Sequence, residues 1–408
     1  MALKISKTTG SIFLVAGTSI GAGMLALPIS TGTSGIVYSC LLFLAAFLFM
    51  LMTLFLLLEV TLWSKKPGAN LISIAREQLG VGGEVIAWAS FLLLLYSVAA
   101  AYISAGGSLL NTVINWGFGV NFSPKVGIGI FIALFGCFVV FETKAVETVN
   151  RFFVFSLIAV FFALIFFTAP LVSTENFPKG TTTYLWSAVP IVVLSFTSHI
   201  IVPSLKTYLG GNIKRLRRVL WIGSLIPLIF YLVWEFLILG VLPPSGEFSL
   251  EAIAKQRHPV AALTLALHSL LDFPIVSLIV GLFSFFALAT SFFGVSLSLY
   301  DFLADGFRIK KNAAGRIILL FLMFAPPLLF SLFYPKGFML ALSYAGVFVA
   351  VLYGLLPAAM VWKGRYVKHI KEPYQVPGGR IIPIIAFLGA LAIILLQIAA
   401  TNGWIPSL

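Results

Sequence analysis

Two short runs concentrate the residues that could recognise a ligand. Residues 17–28 read GTSIGAGMLALP, which puts three glycines, two hydroxyls and a proline inside an apolar stretch. Residues 195–203 read SFTSHIIVP, another apolar stretch interrupted by polar groups and a proline. Glycine weakens a helix interior by about 1 kcal/mol relative to alanine, so we expect the first helix to unwind here. The polar residues and the proline of the second run predict a similar interruption there.

Unwound helix ends can bind a zwitterion with backbone alone. Free N–H groups at a half-helix N-terminus suit a carboxylate, and free carbonyl groups at a half-helix C-terminus suit an ammonium. Small residues also permit close helix packing in membranes, which is the alternative interpretation of the first run taken alone. A membrane hydrolase is a remote alternative, because residues 17–21 match G-x-S-x-G, with Ser19 as nucleophile and His199 as base.

The chain around these runs has the composition of a membrane protein. Of its 408 residues, 60% are hydrophobic and 10% are charged, whereas soluble domains carry about 25% charged residues. The net charge of +13 comes from basic residues in short segments between apolar runs, so it predicts topology and not nucleic-acid binding. Cys40 and Cys137 both lie inside apolar runs; we expect no disulfide framework, metal cluster or cofactor.

Eleven apolar runs are long enough to cross a membrane as helices. They cover residues 9–31, 36–62, 84–114, 125–141, 152–170, 184–205, 219–243, 273–300, 315–333, 338–361 and 381–401. Lys and Arg on the two sides number 21 and 5, which predicts a cytoplasmic N-terminus and an outside C-terminus. Residues 70–79 are expected to form a surface helix, and residues 249–272, split by Pro259, a pair of short helices that is either a packed loop or an external lid.

The two interrupted runs occupy the first and sixth spans, the same position in two groups of five. An odd number of spans inverts the second group, which is the pattern of transporters whose substrate binds between broken helices near the midplane. We therefore expect an all-α integral membrane protein with a single domain, residues 1–408. Its repeats are residues 9–170 and 184–361, and residues 381–401 form an additional helix. A channel is a remote alternative, because the spans carry too few charges for charged pore rings.

Four motifs in chain order resemble those of the bacterial tyrosine/tryptophan permeases, within the hydroxy/aromatic amino acid permeases and the wider amino acid-polyamine-cation superfamily. Besides residues 17–28, they are LLEV at 57–60, SFTSHIIVPS at 195–204, and ATSFFGV to DFLAD at 289–305. The resemblance covers essentially the whole chain. It implies a five-plus-five inverted-repeat (LeuT-like) fold in the bacterial inner membrane, and import of an aromatic amino acid by proton symport and alternating access. Thr197 and Ser198 replace a Gly-containing stretch of many relatives, which leaves tyrosine, tryptophan and phenylalanine open as substrates.

The resemblance also implies a binding site. The substrate carboxylate would meet the N–H groups of Gly21, Ala22 and Gly23, and the ammonium would meet the carbonyls of Ser19, Leu194 and Ser195. Because aromatic stacking offsets the desolvation of an aromatic substrate, the side-chain pocket is expected to include Tyr96, Tyr102, Phe196 and Phe286. The partners expected are the amino acid, a coupling ion and membrane lipid, and the monomer is expected to be functional.

The coupling ion has three candidate residues, because ionisable groups inside membrane spans are costly and indicate function. They are His199 at the break of span six, Glu59 in span two and Glu235 in span seven. His199 suits proton exchange or, as a neutral group, support of the unwound backbone; Glu59 also suits a structural partner for a Lys or Arg. The alternative function is a sodium-coupled transporter of other large neutral amino acids, whose cation would be surrounded by Ala16, Ser19, Thr290 and Ser291.

Overall fold

The computed structural model describes residues 6–21, 23–66, 68–120, 122–136, 143–177, 179–270, 274–334 and 337–407. These ranges form helices joined by short connections and contain no strand. Nine helices within them are long and apolar enough to cross a membrane. Large apolar side chains lie exposed on the outer helices, for example Phe155, Phe166, Ile317 and Phe321. The protein is therefore a multi-pass membrane protein.

The first half of the chain opens with a broken helix, as predicted. The helices are α1 (Lys7–Ser19), α2 (Gly23–Thr31), α3 (Gly35–Trp63), α4 (Leu71–Leu79), α5 (Val81–Phe118), α6 (Pro124–Phe131) and α7 (Thr143–Thr168). A π-helical turn, Ile132–Gly136, continues α6, and the rest of the predicted fourth span lies outside the described residues. The count of eleven spans therefore stays a prediction.

The second half opens with the second predicted break. Its helices are α8 (Leu185–Ser195), α9 (Val202–Tyr208), α10 (Ile213–Val241), α11 (Leu250–Lys255), α12 (Pro259–Leu270), α13 (Pro274–Gly306), α14 (Ala313–Phe333), α15 (Gly337–Val349), α16 (Leu356–Tyr366) and α17 (Ile381–Thr401). A 3-10 turn, His199–Ile201, joins α8 to α9, and a π-helical segment, Ala350–Leu355, joins α15 to α16.

The helices pack in two related pairs of contacts. The first span contacts the seventh through α1 and α10, and the sixth contacts the second through α8, α9 and α3. The third span contacts the tenth through α5 and α15, and the eighth contacts the fifth through α13 and α7. Each contact becomes its counterpart when the two predicted groups of five spans are exchanged.

Both predicted connections are helical. Asn70 caps α4 by accepting from the backbone N–H of Ser73, and the Ser73 hydroxyl accepts from the Asn70 N–H in return, so the capping box fixes the start of this helix. The expected helix pair is α11 and α12, which meet at Pro259. We call α11 and α12 the lid hairpin. It packs against α2, where a Cβ added at Gly32 would collide with the Leu250 side chain.

The basic connections lie together at one end of the molecule. Lys206 of α9 donates to the Ser64 carbonyl, Lys368 donates to the Glu77 carbonyl, and the Arg217 guanidinium lies 5.7 Å from the Tyr374 ring centroid. We call this the basic end. The Glu59 carboxylate lies at the basic end, whereas the lid hairpin covers α2 at a distance from the basic end.

Candidate functional site

The two helix breaks lie against each other. A Cβ added at Gly23, the first residue of α2, would lie 3.0 Å from Ser195 Oγ at the end of α8. A Cβ added at Gly21 would collide with the Ser291 hydroxyl of α13. Glycine therefore fits both positions, where the side chains of other helices approach the backbone closely. The break in span one borders on spans six and eight.

The end of the first half-helix is shaped by extended backbone. Ile20 has φ −75° and ψ 116°, and its N–H donates to the Ala16 carbonyl as the last bond of α1. Met24 N–H then donates to the Gly21 carbonyl at 3.0 Å. Ala22, predicted to bind the substrate carboxylate, lies outside the described residues. The N-terminus of α2, where a helix dipole is positive, thus begins at the break.

A tyrosine of span seven joins the two predicted ammonium carbonyls. Tyr231 Oη lies 2.6 Å from the Ser19 carbonyl oxygen and 2.8 Å from the Ser195 carbonyl oxygen, and the side chain is fully buried. A phenol has one hydrogen, so it can donate to only one of these carbonyls at a time. The other retains an acceptor position for a further donor. The third predicted carbonyl, Leu194, accepts from Thr197 N–H.

Tyr102 lies beside the same break. Its hydroxyl shares a side-chain hydrogen bond with Ser291, whose own hydroxyl borders Gly21. One helical turn further along α5 and α13, an apolar cavity is lined by Gly106, Leu109, Leu110, Phe131, Phe285 and Leu288. Its volume is about 80 Å³. An aromatic side chain anchored at the break could extend into this space.

The other predicted pocket residues have different contacts. Tyr96 donates to the Leu322 carbonyl of α14 at 2.8 Å, and it points about 120° away from Tyr102 around α5. Phe286 packs on Phe153 of α7, with ring centroids 5.3 Å apart. Phe196 is buried edge-on against Tyr231 at 5.2 Å. Only Tyr102 and Phe196 therefore contact residues that line the break.

His199 is enclosed between spans two and ten. Its Nε2 lies 2.9 Å from Thr53 Oγ1, and the Thr53 hydroxyl donates its hydrogen to the Met50 carbonyl. When the Thr53 hydrogen points to Met50, Nε2 carries the hydrogen of this contact; Nδ1 has no partner among the described residues. The ring stacks on Tyr353 with centroids 4.7 Å apart. This geometry matches a neutral imidazole that holds the unwound segment in place.

The residues of the sodium alternative are also occupied by local bonds. Thr290 donates to the Phe286 carbonyl at 2.8 Å, which is ordinary hydroxyl bonding within a helix. The Ala16 carbonyl accepts from Ile20 N–H, and the Ser19 carbonyl faces Tyr231. Ser291 remains next to the break, as that alternative requires. The described residues contain no cluster of His, Cys, Asp or Glu able to hold a metal ion.

Glu59 forms the ion pair foreseen as one of its two interpretations. Arg365 Nε donates to Oε1 at 2.6 Å and Arg365 Nη2 donates to Oε2 at 2.5 Å. Val376 N–H adds a bond to Oε2 at 2.7 Å. Arg365 in turn donates to the Val376 and Gly379 carbonyls. Buried charge is tolerated here because both ions have several hydrogen-bond partners.

Glu235 is buried without such a partner. Its Oε1 lies 2.8 Å from Thr31 Oγ1, and Oε2 has no partner among the described residues. Thr31 Oγ1 also lies 2.8 Å from the Leu27 carbonyl. One threonine hydrogen cannot serve both acceptors, so both contacts are hydrogen bonds only when a second hydrogen is supplied. Within the described ranges, none of the ion pairs involves Glu235.

One face of α10 contacts both halves of the broken first span. Tyr231 reaches the end of α1, Trp234 Nε1 donates to the Met24 carbonyl in the first turn of α2, and Glu235 reaches Thr31 at its end. The spacing i, i+3, i+4 puts these side chains on one face of the helix. Sequence reasoning missed Tyr231, although a hydroxyl one turn from a membrane-embedded carboxyl was an available signal.

Comparison with known proteins identifies the family of the chain. The profile of the tryptophan/tyrosine permease family matches residues 4–397. The chain is 37% identical over 405 residues to tyrosine-specific transport system 2 of Haemophilus influenzae, covering 98% of each chain. It is 37% identical over 406 residues to tyrosine-specific transport system 1 of that organism, covering 98% of this chain and 99% of the relative. The tryptophan-specific transport protein of the same organism is 30% identical over 421 residues, with 99% and 98% covered. The chain therefore belongs to the tryptophan/tyrosine permease family, a family of transport proteins and not of enzymes.

Proposed function

We propose that the protein imports an aromatic amino acid, tyrosine first with tryptophan and phenylalanine as further candidates, by proton symport and alternating access. The observation that carries this proposal is the meeting of the two breaks beside an apolar cavity. Gly23 and Ser195 approach each other there, and Tyr102 and Ser291 lie one helical turn from Gly106 and Leu288, which line the cavity. Relatives with tyrosine-specific and tryptophan-specific transport in their names support the substrate class.

The hydrogen count at the break favours an ammonium. Ser19 and Ser195 carbonyls share the single hydrogen of Tyr231, and an ammonium brings three N–H donors to the acceptor position left over. The carboxylate would lie at the N–H groups of Gly21, Ala22 and Gly23, where α2 begins. The aromatic ring would then enter the cavity between α5, α6 and α13, with Tyr102 and Phe196 at its entrance and Tyr96 and Phe286 further out.

The packing pairs support the inverted-repeat fold. Exchanging residues 9–170 with residues 184–361 converts the contact of spans one and seven into that of spans six and two. It likewise converts the contact of spans three and ten into that of spans eight and five. We propose the five-plus-five arrangement with residues 381–401 added, in the inner membrane, with the basic end in the cytoplasm, the C-terminus outside and the monomer as the functional unit.

Uptake into proteoliposomes tests the proposal. Purified protein is reconstituted and offered labelled tyrosine, tryptophan, phenylalanine and leucine, with an acidic exterior and no sodium. We expect accumulation of an aromatic amino acid above its equilibrium level. Absence of aromatic uptake would overturn the substrate class. Accumulation that requires a sodium gradient would favour the alternative cation site at Ala16, Ser19, Thr290 and Ser291. The position of Ser291 beside Gly21 supports that alternative.

Two glycine variants and one control test the site. Gly21→Val and Gly23→Leu should abolish substrate binding while the protein still inserts, because the added side chains collide with Ser291 and Ser195. Gly17→Val is the matched control, since a Cβ at Gly17 meets no atom within 4 Å. Binding by Gly23→Leu at the wild-type level, in folded protein, would contradict the proposed carboxylate position.

A further inference from the structure

Among the candidate coupling residues, Glu235 is the carboxyl whose surroundings contain too few donor hydrogens for the acceptors present. The carboxyl is fully buried, the Thr31 hydroxyl lies 2.8 Å from its Oε1, and the Ser39 hydroxyl lies nearby. Each hydroxyl already has a backbone acceptor, because Thr31 faces the Leu27 carbonyl and Ser39 donates to the Thr31 carbonyl at 3.0 Å. Each hydroxyl therefore has lone pairs left for the carboxyl but no second hydrogen.

No cation compensates a negative charge at this place within the described residues. From α3 the titratable group facing Glu235 is the Cys40 thiol, whose neutral form brings no positive charge. On α10 itself the nearest titratable side chain is Tyr231, one turn away. The charged residues of the elements packed nearby lie exposed at the surface; they are Glu175, Glu247, Glu251, Lys255 and Arg257. The same segment carries two further titratable side chains, His258 and His268. Glu59 lies about 30 Å along α3 from Ser39.

We propose that Glu235 carries the coupled proton, an inference that rests on the proposed proton symport. The protonated carboxyl donates to Thr31 Oγ1, and Thr31 donates to the Leu27 carbonyl, so that all three groups are satisfied. Loss of the proton leaves a buried carboxylate that competes with Leu27 for the hydrogen of Thr31. An unpaired charge in this setting is costly, so release of the proton favours a displacement of α2 relative to α10.

Helix α2 connects this carboxyl to the substrate site. Its first residue, Gly23, lies at the proposed carboxylate position, and its last residue, Thr31, contacts Glu235. A nine-residue helix transmits a displacement at one end to the other as a rigid body. Glu235 also lies below the lid hairpin, because Gly32 packs on Leu239 and on Leu250 of α11. In the proposed orientation this is the outer side, from which an importer takes its proton.

The test compares Glu235→Gln with His199→Gln in the reconstituted full-length protein. The glutamine amide keeps the shape of the carboxyl and can donate to Thr31, so it imitates the protonated state permanently. Glu235→Gln should exchange labelled for unlabelled tyrosine within about twofold of wild type, should lose accumulation under a pH gradient, and should bind tyrosine with an affinity that does not change with pH. Glu251→Gln is the control, because Glu251 is an exposed glutamate of α11, and it should keep all three wild-type behaviours. His199→Gln tests the other candidate carrier of the proton.

The outcomes separate this inference from the proposed function. If wild type and Glu235→Gln accumulate tyrosine equally under a pH gradient, the Glu235 assignment is wrong while symport stands. If wild type accumulates tyrosine only with sodium, proton symport itself fails, and the Glu235 assignment fails with it. Loss of pH-driven accumulation in His199→Gln alone would transfer the role to His199.

Infrared difference spectroscopy gives a second readout that does not require transport by the variant. The protonated carboxyl of Glu235 should give a carbonyl stretching band that changes when substrate binds and is missing in Glu235→Gln. Persistence of the full band in that variant would overturn the assignment. If Glu235→Gln does not insert, Thr31→Val serves instead, because loss of the acceptor should shift the band and the pH midpoint of tyrosine affinity. Unchanged values in Thr31→Val would likewise overturn the proposal.

Discussion

Glu59 and Glu235 are both fully buried glutamates of membrane-spanning helices, and their surroundings are opposite. Glu59 receives two bonds from Arg365 and one from the Val376 N–H. Glu235 has only hydroxyl neighbours whose hydrogens are also claimed by backbone carbonyls, and one of its oxygens has no partner in the described part of the chain. The first environment suits a carboxylate and the second suits a carboxylic acid.

The difference indicates how charge is used at the two ends of the molecule. At the basic end, Arg365 ties span two to the connection between α16 and α17, so the charge contributes to structure. Near the lid hairpin, the lack of a counter-ion leaves a proton as the means of neutralising the carboxyl. A fixed ion pair resists motion, whereas a group that binds and releases a proton can change its contacts during a transport cycle.

Removing the counter-ion of Glu59 should have the largest effect. Arg365→Leu leaves a buried carboxylate without its cation, which costs about 3–5 kcal/mol. The thermal unfolding midpoint in detergent should fall steeply, and Glu59→Gln in the same chain should restore part of it. Glu235→Gln alone should change stability by no more than about 1 kcal/mol. If Arg365→Leu and Glu235→Gln have equal effects, the contrast between the two sites is wrong.

The second effect concerns Lys206, which strengthens the basic end. Its Nζ donates to the Thr61 and Ser64 carbonyls at the C-terminus of α3, where a cation also interacts well with the helix dipole. Lys206→Met should destabilise the protein by about 1.5–3 kcal/mol, because bonds to a charged group are lost. Lys311→Met is the control, since the Lys311–Asp301 pair is exposed and such pairs contribute little. Equal unfolding midpoints in the two variants would contradict the prediction.

Some of this contrast could be predicted from the sequence. The low helix propensity of the glycines at 21 and 23 and the Asn70 cap are local properties of the sequence, so both helix boundaries followed from local patterns, whereas the contacts of the glycines with Ser291 and Ser195 did not. A basic partner for Glu59 was foreseeable, but Arg365 lies 306 residues away and competes with many other basic residues. Tyr231 and its carbonyl at Ser19 are 212 residues apart, and no periodicity indicates such a contact. Because the chain has 39 phenylalanines, their residue type alone could not indicate which of them lie near the cavity.

A third, smaller effect is expected at Thr31. Thr31→Val removes the hydroxyl between Glu235 and the Leu27 carbonyl and should cost about 1–2 kcal/mol, because a buried carboxyl loses its acceptor. Thr53→Val is a matched control, since Thr53 is also buried, bonded to its own helix and in contact with a titratable group. Both variants should lose stability at pH 7. Only Thr31→Val should alter the pH dependence of tyrosine binding, and an equal alteration in Thr53→Val would assign that dependence to His199.

The smallest effect should appear only at alkaline pH, in the connection that holds Arg365. Burial raises the pKa of Tyr374 to about 12, and the Arg217 guanidinium beside its ring opposes this shift. An unfolded tyrosine releases its proton near pH 10, so above that pH the unfolded chain loses the proton first. The stabilising contribution of the neutral phenol is therefore present below pH 10 and is lost between about pH 10 and 12. Wild type should lose more stability over this interval than Tyr374→Phe, and Glu235→Gln should follow wild type. Identical alkaline unfolding curves for wild type and Tyr374→Phe would mean that Tyr374 is solvated and that the structure around Arg365 is looser than the ion pair implies.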